Sequence, residues 1–210
     1  MTSIRSVPTG IASVVETLIP LVLEQPEIAI RMRQESSLGR MHAGCGGQPK
    51  ITRFTRMSPS LSWQFTGFTE LSPLDLYAAL ELRQRVFVVE QKCAYLDADG
   101  LDRRCLHLLG WTGEPERRKL AAYARLLPPR FKYAEASIGR VCTHPDVRGT
   151  GAGRALMEEA IRLVEVSGWG REIRIAAQMY LERFYEGFGF KRVTDPYLDD
   201  DIWHVDMRRG

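Results

Sequence analysis

Seven residues, Arg148-Gly149-Thr150-Gly151-Ala152-Gly153-Arg154, put three glycines between two arginines. Directly after them Ala155, Leu156, Met157, Ala160, Ile161, Leu163 and Val164 recur at three- and four-residue intervals. That periodicity predicts a helix with one apolar face. A glycine-rich loop opening a helix leaves backbone N–H groups unpaired at the positive end of the dipole. Glycines also let a large anion approach the main chain, and the two arginines add full charge. The chemistry predicted for this loop is the holding of phosphate groups. A nucleotide P-loop is excluded, because no Lys-Ser or Lys-Thr follows the glycines. The dinucleotide fingerprint fails too, since Arg154 stands where its last glycine belongs. By itself the loop also fits a plain surface turn before a well-capped helix.

Neighbouring segments add to this. Ile138 to Thr143 reads as a buried strand that His144-Pro145-Asp146 ends. Arg174 to Gln178 reads as another strand, and Met179 to Phe190 as a short helix finishing at glycines. Arg148, Gly151 and Gly153 fit an Arg/Gln-x-x-Gly-x-Gly/Ala pattern, and Phe184-Tyr185-Glu186 with Phe188-Gly189-Phe190 follows downstream. Two motifs in this order resemble the GNAT family of acyl-CoA N-acyltransferases. Arg85 to Gln91, Tyr95 to Asp102, His107 to Trp111, Ala122 to Pro128 and His204 to Met207 narrow the resemblance to its ElaA-like branch. Asp199-Asp200-Asp201-Ile202-Trp203-His204 departs from that branch, where the stretch usually reads Glu-Asp-Gly-Ile-Pro-His, so a different turn is expected.

The resemblance implies an α/β GNAT fold: a mixed, mostly antiparallel twisted sheet with helices on both faces. Two central strands splay apart to form the acyl-CoA cleft. It implies further that main-chain groups of Val141, Cys142 and Thr143 pair with the pantetheine arm and polarise the thioester carbonyl. Arg148, Gly149, Thr150, Gly151, Ala152, Gly153 and Arg154 would hold the pyrophosphate. Tyr185 would lie beside the sulfur. Outside that company Tyr185 reads as an ordinary core aromatic.

The function expected is transfer of an acetyl group from acetyl-CoA to a primary amine, by direct attack in a ternary complex. The alternative is a non-catalytic acyl-CoA-binding regulatory module. Tyr185 is the expected general acid, since an unperturbed phenol stays protonated at neutral pH. Glu90, His107 and His204 all fall in segments that can border the acceptor cleft, and each is a candidate base. Cys142 could carry the acyl group covalently, but a small cysteine in a buried strand is more often inert. Asp97, Asp99 and Asp102 read as turn-forming aspartates of a solvated loop, and their spacing does not suit calcium. No metal is expected.

Composition fits a cytoplasmic enzyme. Of 210 residues, 44% are hydrophobic and 26% charged, ordinary globular values. Lys and Arg outnumber Asp and Glu by 7 to 4 up to Ser60 and balance at 22 to 22 from Leu61 onward. A neutral second part offers no footprint for nucleic acid. The four cysteines form no C-x-x-C pair and no zinc spacing. Glu16 and Pro20 interrupt the only apolar stretch near the N-terminus, so neither a signal peptide nor a membrane span is expected. Residues 1–60 are expected to be a poorly structured extension, with Met57 a candidate for the true start, and 61–210 the acetyltransferase domain. Dimers are common for this architecture, so a homodimer is an available assembly.

The elements that must position these groups can be ordered from Trp63 onward. The pattern gives strand, helix, three strands, helix, strand, helix, strand. Ser72-Pro73-Leu74-Asp75 opens the first helix as a capping sequence. On it Leu76, Leu80, Phe87 and Val88 are expected toward the core, with Glu81, Arg83 and Glu90 toward solvent or a cleft. Leu106–Thr112 and Leu120–Leu127 are expected to pair across the polar turn 113–119.

Overall fold

Ser72 starts the first helix as its neighbours require: the side chain accepts a hydrogen bond from the Asp75 N–H at 3.0 Å, and Pro73 occupies the first turn. In this computed structural model, which describes residues 60–210, that helix follows strand β1 (Ser62–Gly67). The helix, α1 (Pro73–Arg83), runs on into a π-helical turn over Gln84–Glu90. Then come β2 (Leu106–Thr112), β3 (Lys119–Leu127), β4 (Ala136–Thr143), α2 (Ala152–Val166), β5 (Ile173–Gln178) and the short α3 (Glu182–Glu186). β6 (Lys191–Arg192), β7 (Tyr197–Asp199) and β8 (Ile202–Arg209) finish the chain. The expected order holds, with the last strand preceded by two short ones. The expectations for residues 1–59, Met57 among them, lie outside the described residues.

The eight strands form one sheet in the order β1-β2-β3-β4-β5-β8-β6, with β7 also on β8. Every pairing is antiparallel except β4 with β5. This is the expected mixed sheet. Leu109, Tyr123 and Cys142 share a core cluster with Ala79, Leu82 and Val86 of the first helix and its extension. Because strand side chains alternate between faces, Leu108, Ala122 and Ala124 point the other way. α2, which packs on β3 and β4 with Leu156, Met157 and Ala160 fully buried, covers that second face. No helix among the described residues is long and apolar enough to cross a membrane.

One expectation about α1 is corrected. Arg83, read as facing solvent or a cleft, is 0% exposed. The helix buries Asp75, Ala79, Leu82 and Arg83, while Leu76 and Phe87 only pack against the edge of the cluster. Asp75, Ala79, Leu82 and Arg83 keep ordinary helical spacing, so Arg83 falls on the buried face, and partners from a distant loop satisfy its guanidinium.

That loop corrects a second expectation. Asp97 and Asp102 are buried. Arg83 donates to Asp97 at 2.8 Å and to Asp102 at 2.9 Å, and Arg125 to Asp99 at 2.7 Å and to Asp102 at 2.9 Å. Arg140 reaches Asp97 at 2.6 Å. Three arginines and three aspartates thus balance in one cluster beneath α1. Arg125 Nε is the only buried side-chain polar atom among the described residues with no partner. Burial alone would raise the Asp99 carboxyl, but hydrogen bonds from Arg125 and the Leu101 N–H, with the charges of Arg125 and Arg140, outweigh it and hold Asp99 at about 2. Asp102 is lowered too: burial would raise it, and the pairing with Arg83 and Arg125 prevails. A carboxylate whose folded value lies below its unfolded 3.8 stabilises the fold above that pH and loses the contribution as pH falls through about 2. The urea midpoint is therefore expected to drop steeply between about pH 4 and pH 2, and a flat profile there would contradict the network.

Candidate active site

β4 and β5 pair through only two residue positions, Ala136 with Ile173 and Ser137 with Arg174. β4 continues to Thr143 and β5 to Gln178 with no further pairing, so the strands part and leave an open edge. On its other side β4 stays paired with β3, but the register shifts between Tyr123–Cys142 and Arg125–Gly139. Arg140 and Val141 there oppose Ala124 alone. This is a β-bulge, and Arg140 carries it with φ of 52°. Such a left-handed conformation costs an arginine on the order of 1–2 kcal/mol.

Beyond the bulge, the His144 N–H donates to Ala121 O of β3 at 2.7 Å. Alternation along a strand then turns the Thr143 N–H the opposite way, toward the edge that β5 has left. The Cys142 side chain sits in the core cluster, and burial pushes its thiol up to about 12. Such a thiol is no nucleophile at neutral pH.

The glycine loop ends beside this open edge. Gly149 and Gly151 have φ of 71° and 95°, a region glycine enters without steric cost. Gly151 is the N-cap of α2, and no side chain caps the helix. Ala155 N–H closes the first turn on Gly151 O at 3.0 Å. Among the described residues, the N–H groups of Gly151, Ala152, Gly153 and Arg154 have no acceptor. A Cβ added at Gly153 would come within 3.9 Å of the Thr143 methyl and 4.0 Å of the Phe184 ring, so the loop, the β4 tip and α3 meet at this point.

Tyr185 lies on α3, its ring edge-on to Phe184 at 5.2 Å and to Phe190 at 6.1 Å between centroids. The residue is 7% exposed, and burial raises its phenol above the ordinary range. Its hydroxyl has no hydrogen-bond partner among the described residues. It is not one of the fully enclosed polar atoms lacking a partner, so it keeps access to open space.

The remaining site candidates are placed as follows. Arg148 is bidentate on Glu90, at 2.7 and 2.9 Å, and also donates to Thr143 O at 3.2 Å. That hydrogen bond holds the Glu90 carboxyl below its usual range, which removes basicity. Arg154 stacks over Phe188 at 4.9 Å and pairs loosely with Glu158 at 3.3 Å. His107 is fully buried: its Nε2 donates to Asp102 O at 3.0 Å, and its Nδ1 accepts from the Tyr123 hydroxyl at 2.8 Å. Burial lowers its pKa, and neither ring nitrogen is left to take a proton from a substrate. His204 differs. Its Nδ1 contacts Ile202 O at 2.8 Å, and since a carbonyl only accepts, Nδ1 carries the hydrogen; Nε2 has no partner among the described residues. His204 stands opposite Gln178, at the end of β5 that borders the parted strands. Gln178 exchanges amide hydrogen bonds with Gln91 at 3.0 and 3.4 Å and accepts one from Tyr180, which closes that end. Gln91, Gln178 and Tyr180 carried no signal as site residues in the sequence. Nor did Arg125 and Arg140, although an arginine inside the apolar run from Ala122 to Leu127 is the kind of signal that could have been followed. No group of three or more His, Cys, Asp or Glu residues suited to a metal occurs among the described residues.

A sheet that parts beside a bulged strand, with an uncapped glycine-led helix at the opening, defines a class of acyltransferase. Residues 116–209 match the acetyltransferase (GNAT) domain. A UPF0039 protein of Synechocystis sp. is 44% identical over 147 residues, 70% of this chain and 94% of the relative. The crystal structure of Escherichia coli ElaA matches at 38% identity and a TM-score of 0.65, covering 71% of this chain and 99% of that one. An acyl-CoA N-acyltransferase from Pseudomonas aeruginosa matches at 41% identity and a TM-score of 0.67, covering 72% and 100%. The chain belongs to the GNAT acyltransferase family, in the branch that contains ElaA and the UPF0039 proteins.

Proposed function

We propose that this chain transfers an acetyl group from acetyl-CoA to a primary amine, by direct attack of the amine within a ternary complex. The observation that carries the reading is the run of acceptor-free N–H groups from Gly151 to Arg154, placed beside the open edge of β4. The first can hold a diphosphate and the second a pantetheine arm. Val141 and Thr143 then offer main-chain donors to the thioester carbonyl, worth about 3 kcal/mol when preorganised. Arg148, Gly149, Thr150, Gly151, Ala152, Gly153 and Arg154 form the phosphate cradle, with the Arg148 guanidinium oriented by Glu90. Tyr185 donates to the sulfur as negative charge develops there. His204 is the proposed base, because of the three candidates it alone keeps a free ring nitrogen. Cys142 contributes main chain only, and its raised thiol favours the ternary complex over an acyl-cysteine.

The test incubates the protein with acetyl-CoA and a panel of amines while free thiol is followed. Thiol release that requires an amine, with intersecting initial-rate plots, is expected. Coenzyme binding without thiol release for any amine would favour a non-catalytic acyl-CoA-binding module instead. Ping-pong kinetics would return Cys142 to the mechanism.

A further inference from the structure

Arg140 is the bulge residue of β4, and its backbone stands where an arginine is rarely found. A strained conformation of this kind persists only where the surroundings over-determine it. Here they are specific. Arg140 Nε donates to Asp97 Oδ1 at 2.6 Å, and Nη2 donates to the Asp97 carbonyl and to Asp99, both at 3.2 Å. The guanidinium also lies over the Tyr95 ring, 5.4 Å from its centroid. Asp97 cannot yield, because Arg83 grips its Oδ2 at 2.8 Å and its carbonyl at 2.9 Å, and the Tyr95 hydroxyl binds Oδ1 at 3.1 Å. A continuous chain of hydrogen bonds thus runs from the end of α1 through Asp97 to the bulge. Arg125, on β3 across from the bulge, belongs to the same cluster through Asp99 and Asp102.

We infer that Asp97 is a positioning residue for acyl transfer: acting through Arg140, it fixes the β4 bulge in the shape that aims main-chain N–H groups at the thioester carbonyl. The inference rests on the proposed function. It gives Asp97 a purpose beyond turn formation, since its carboxylate is spent on arginines inside the fold. Electrostatic aid from backbone donors depends on their being held in place before the reaction, and a bulge kept by a single strained residue needs such a clamp.

Glycine enters the left-handed region without cost and valine is strongly opposed to it, so paired substitutions separate backbone shape from side-chain charge. Both Arg140→Gly and Arg140→Val lose the guanidinium. The readout is the infrared carbonyl band of acetyl-CoA carrying carbon-13 at the thioester, bound to the full chain, together with kcat for the amine found by thiol release. Hydrogen bonding from the bulge lowers the band of bound acetyl-CoA relative to the free thioester. Arg140→Val is expected to return the band toward the free position and to lower kcat by about ten-fold or more. Arg140→Gly is expected to keep more of the band shift and to lose several-fold less activity, on the order of a factor of three or more less than valine. Asp97→Asn should behave as the valine variant, and adding Arg140→Gly to it should recover band and turnover to the level of Arg140→Gly alone. Equal losses in the glycine and valine variants, or a double variant no better than Asp97→Asn, would overturn the inference; if Asp97→Asn does not fold, the glycine–valine pair decides. A wild-type chain that binds no acetyl-CoA would overturn the proposed function and this inference with it. A wild-type band shift that every variant retains would overturn this inference alone.

Discussion

Tyr185→Phe is expected to lower kcat by ten-fold or more, about 1–3 kcal/mol in the barrier, while the affinity for acetyl-CoA changes little. The substitution removes one oxygen and leaves the ring against Phe184 and Phe190, so packing is preserved. That oxygen has no partner to lose among the described residues. It keeps access to open space, where a bound ligand can reach it. The departing sulfur gains negative charge only as the thioester breaks, and a hydrogen bond to it is therefore stronger in the transition state than in the bound substrate. Interactions of that type appear in kcat rather than in binding. Because burial raises the phenol above its usual 10, it stays protonated throughout the neutral range. No alkaline loss of kcat attributable to Tyr185 is expected below about pH 10, and an unchanged kcat in the phenylalanine variant would remove the residue from the mechanism.

Arg83→Ala is expected to have the largest effect on stability. Arg83 is fully buried and binds Asp97 and Asp102 at once. Truncation leaves two buried carboxylates with fewer partners and opens a void where the side chain lay. Breaking a buried ion pair from one side costs about 3–5 kcal/mol, a large share of the 5–15 kcal/mol that holds a typical domain together. The urea midpoint should fall accordingly at neutral pH, or the protein should fail to accumulate in folded form. A variant within about 1 kcal/mol of wild type would mean that the cluster is far less important to the fold than its burial implies.

What the sequence made legible was local. Ser72, Pro73 and Asp75 announce a helix start within four residues, and the same holds for the glycines ahead of α2. The parted strands were legible only through resemblance, since no periodicity marks where two strands stop pairing, whereas the short helix of Tyr185 is announced by the glycines that end it. Arg83 was misjudged because hydropathy places a charged side chain outside, whereas its partners lie 14 and 19 residues away in sequence. Asp97 and Asp102 escaped the sequence for the matching reason: their spacing suits a solvated turn, and the arginines that bind them come from three other segments. Asp99 is exposed and accepts from the Leu101 N–H, as a turn aspartate does. Which residue carries the bulge was not legible, because Arg140 has no compositional mark of a left-handed backbone. His107 and His204 look alike as isolated histidines; only the Tyr123 hydroxyl and the Asp102 carbonyl separate a core residue from one with a free nitrogen.

Calorimetric titration of the purified chain with acetyl-CoA, set beside S-acetylpantetheine, bears most directly on the claim that the amides at the head of α2 hold a diphosphate. Saturable heat with the coenzyme and affinity weaker by at least about a hundred-fold for the fragment without phosphates are expected. No heat with acetyl-CoA, or equal affinity for the two, would contradict it.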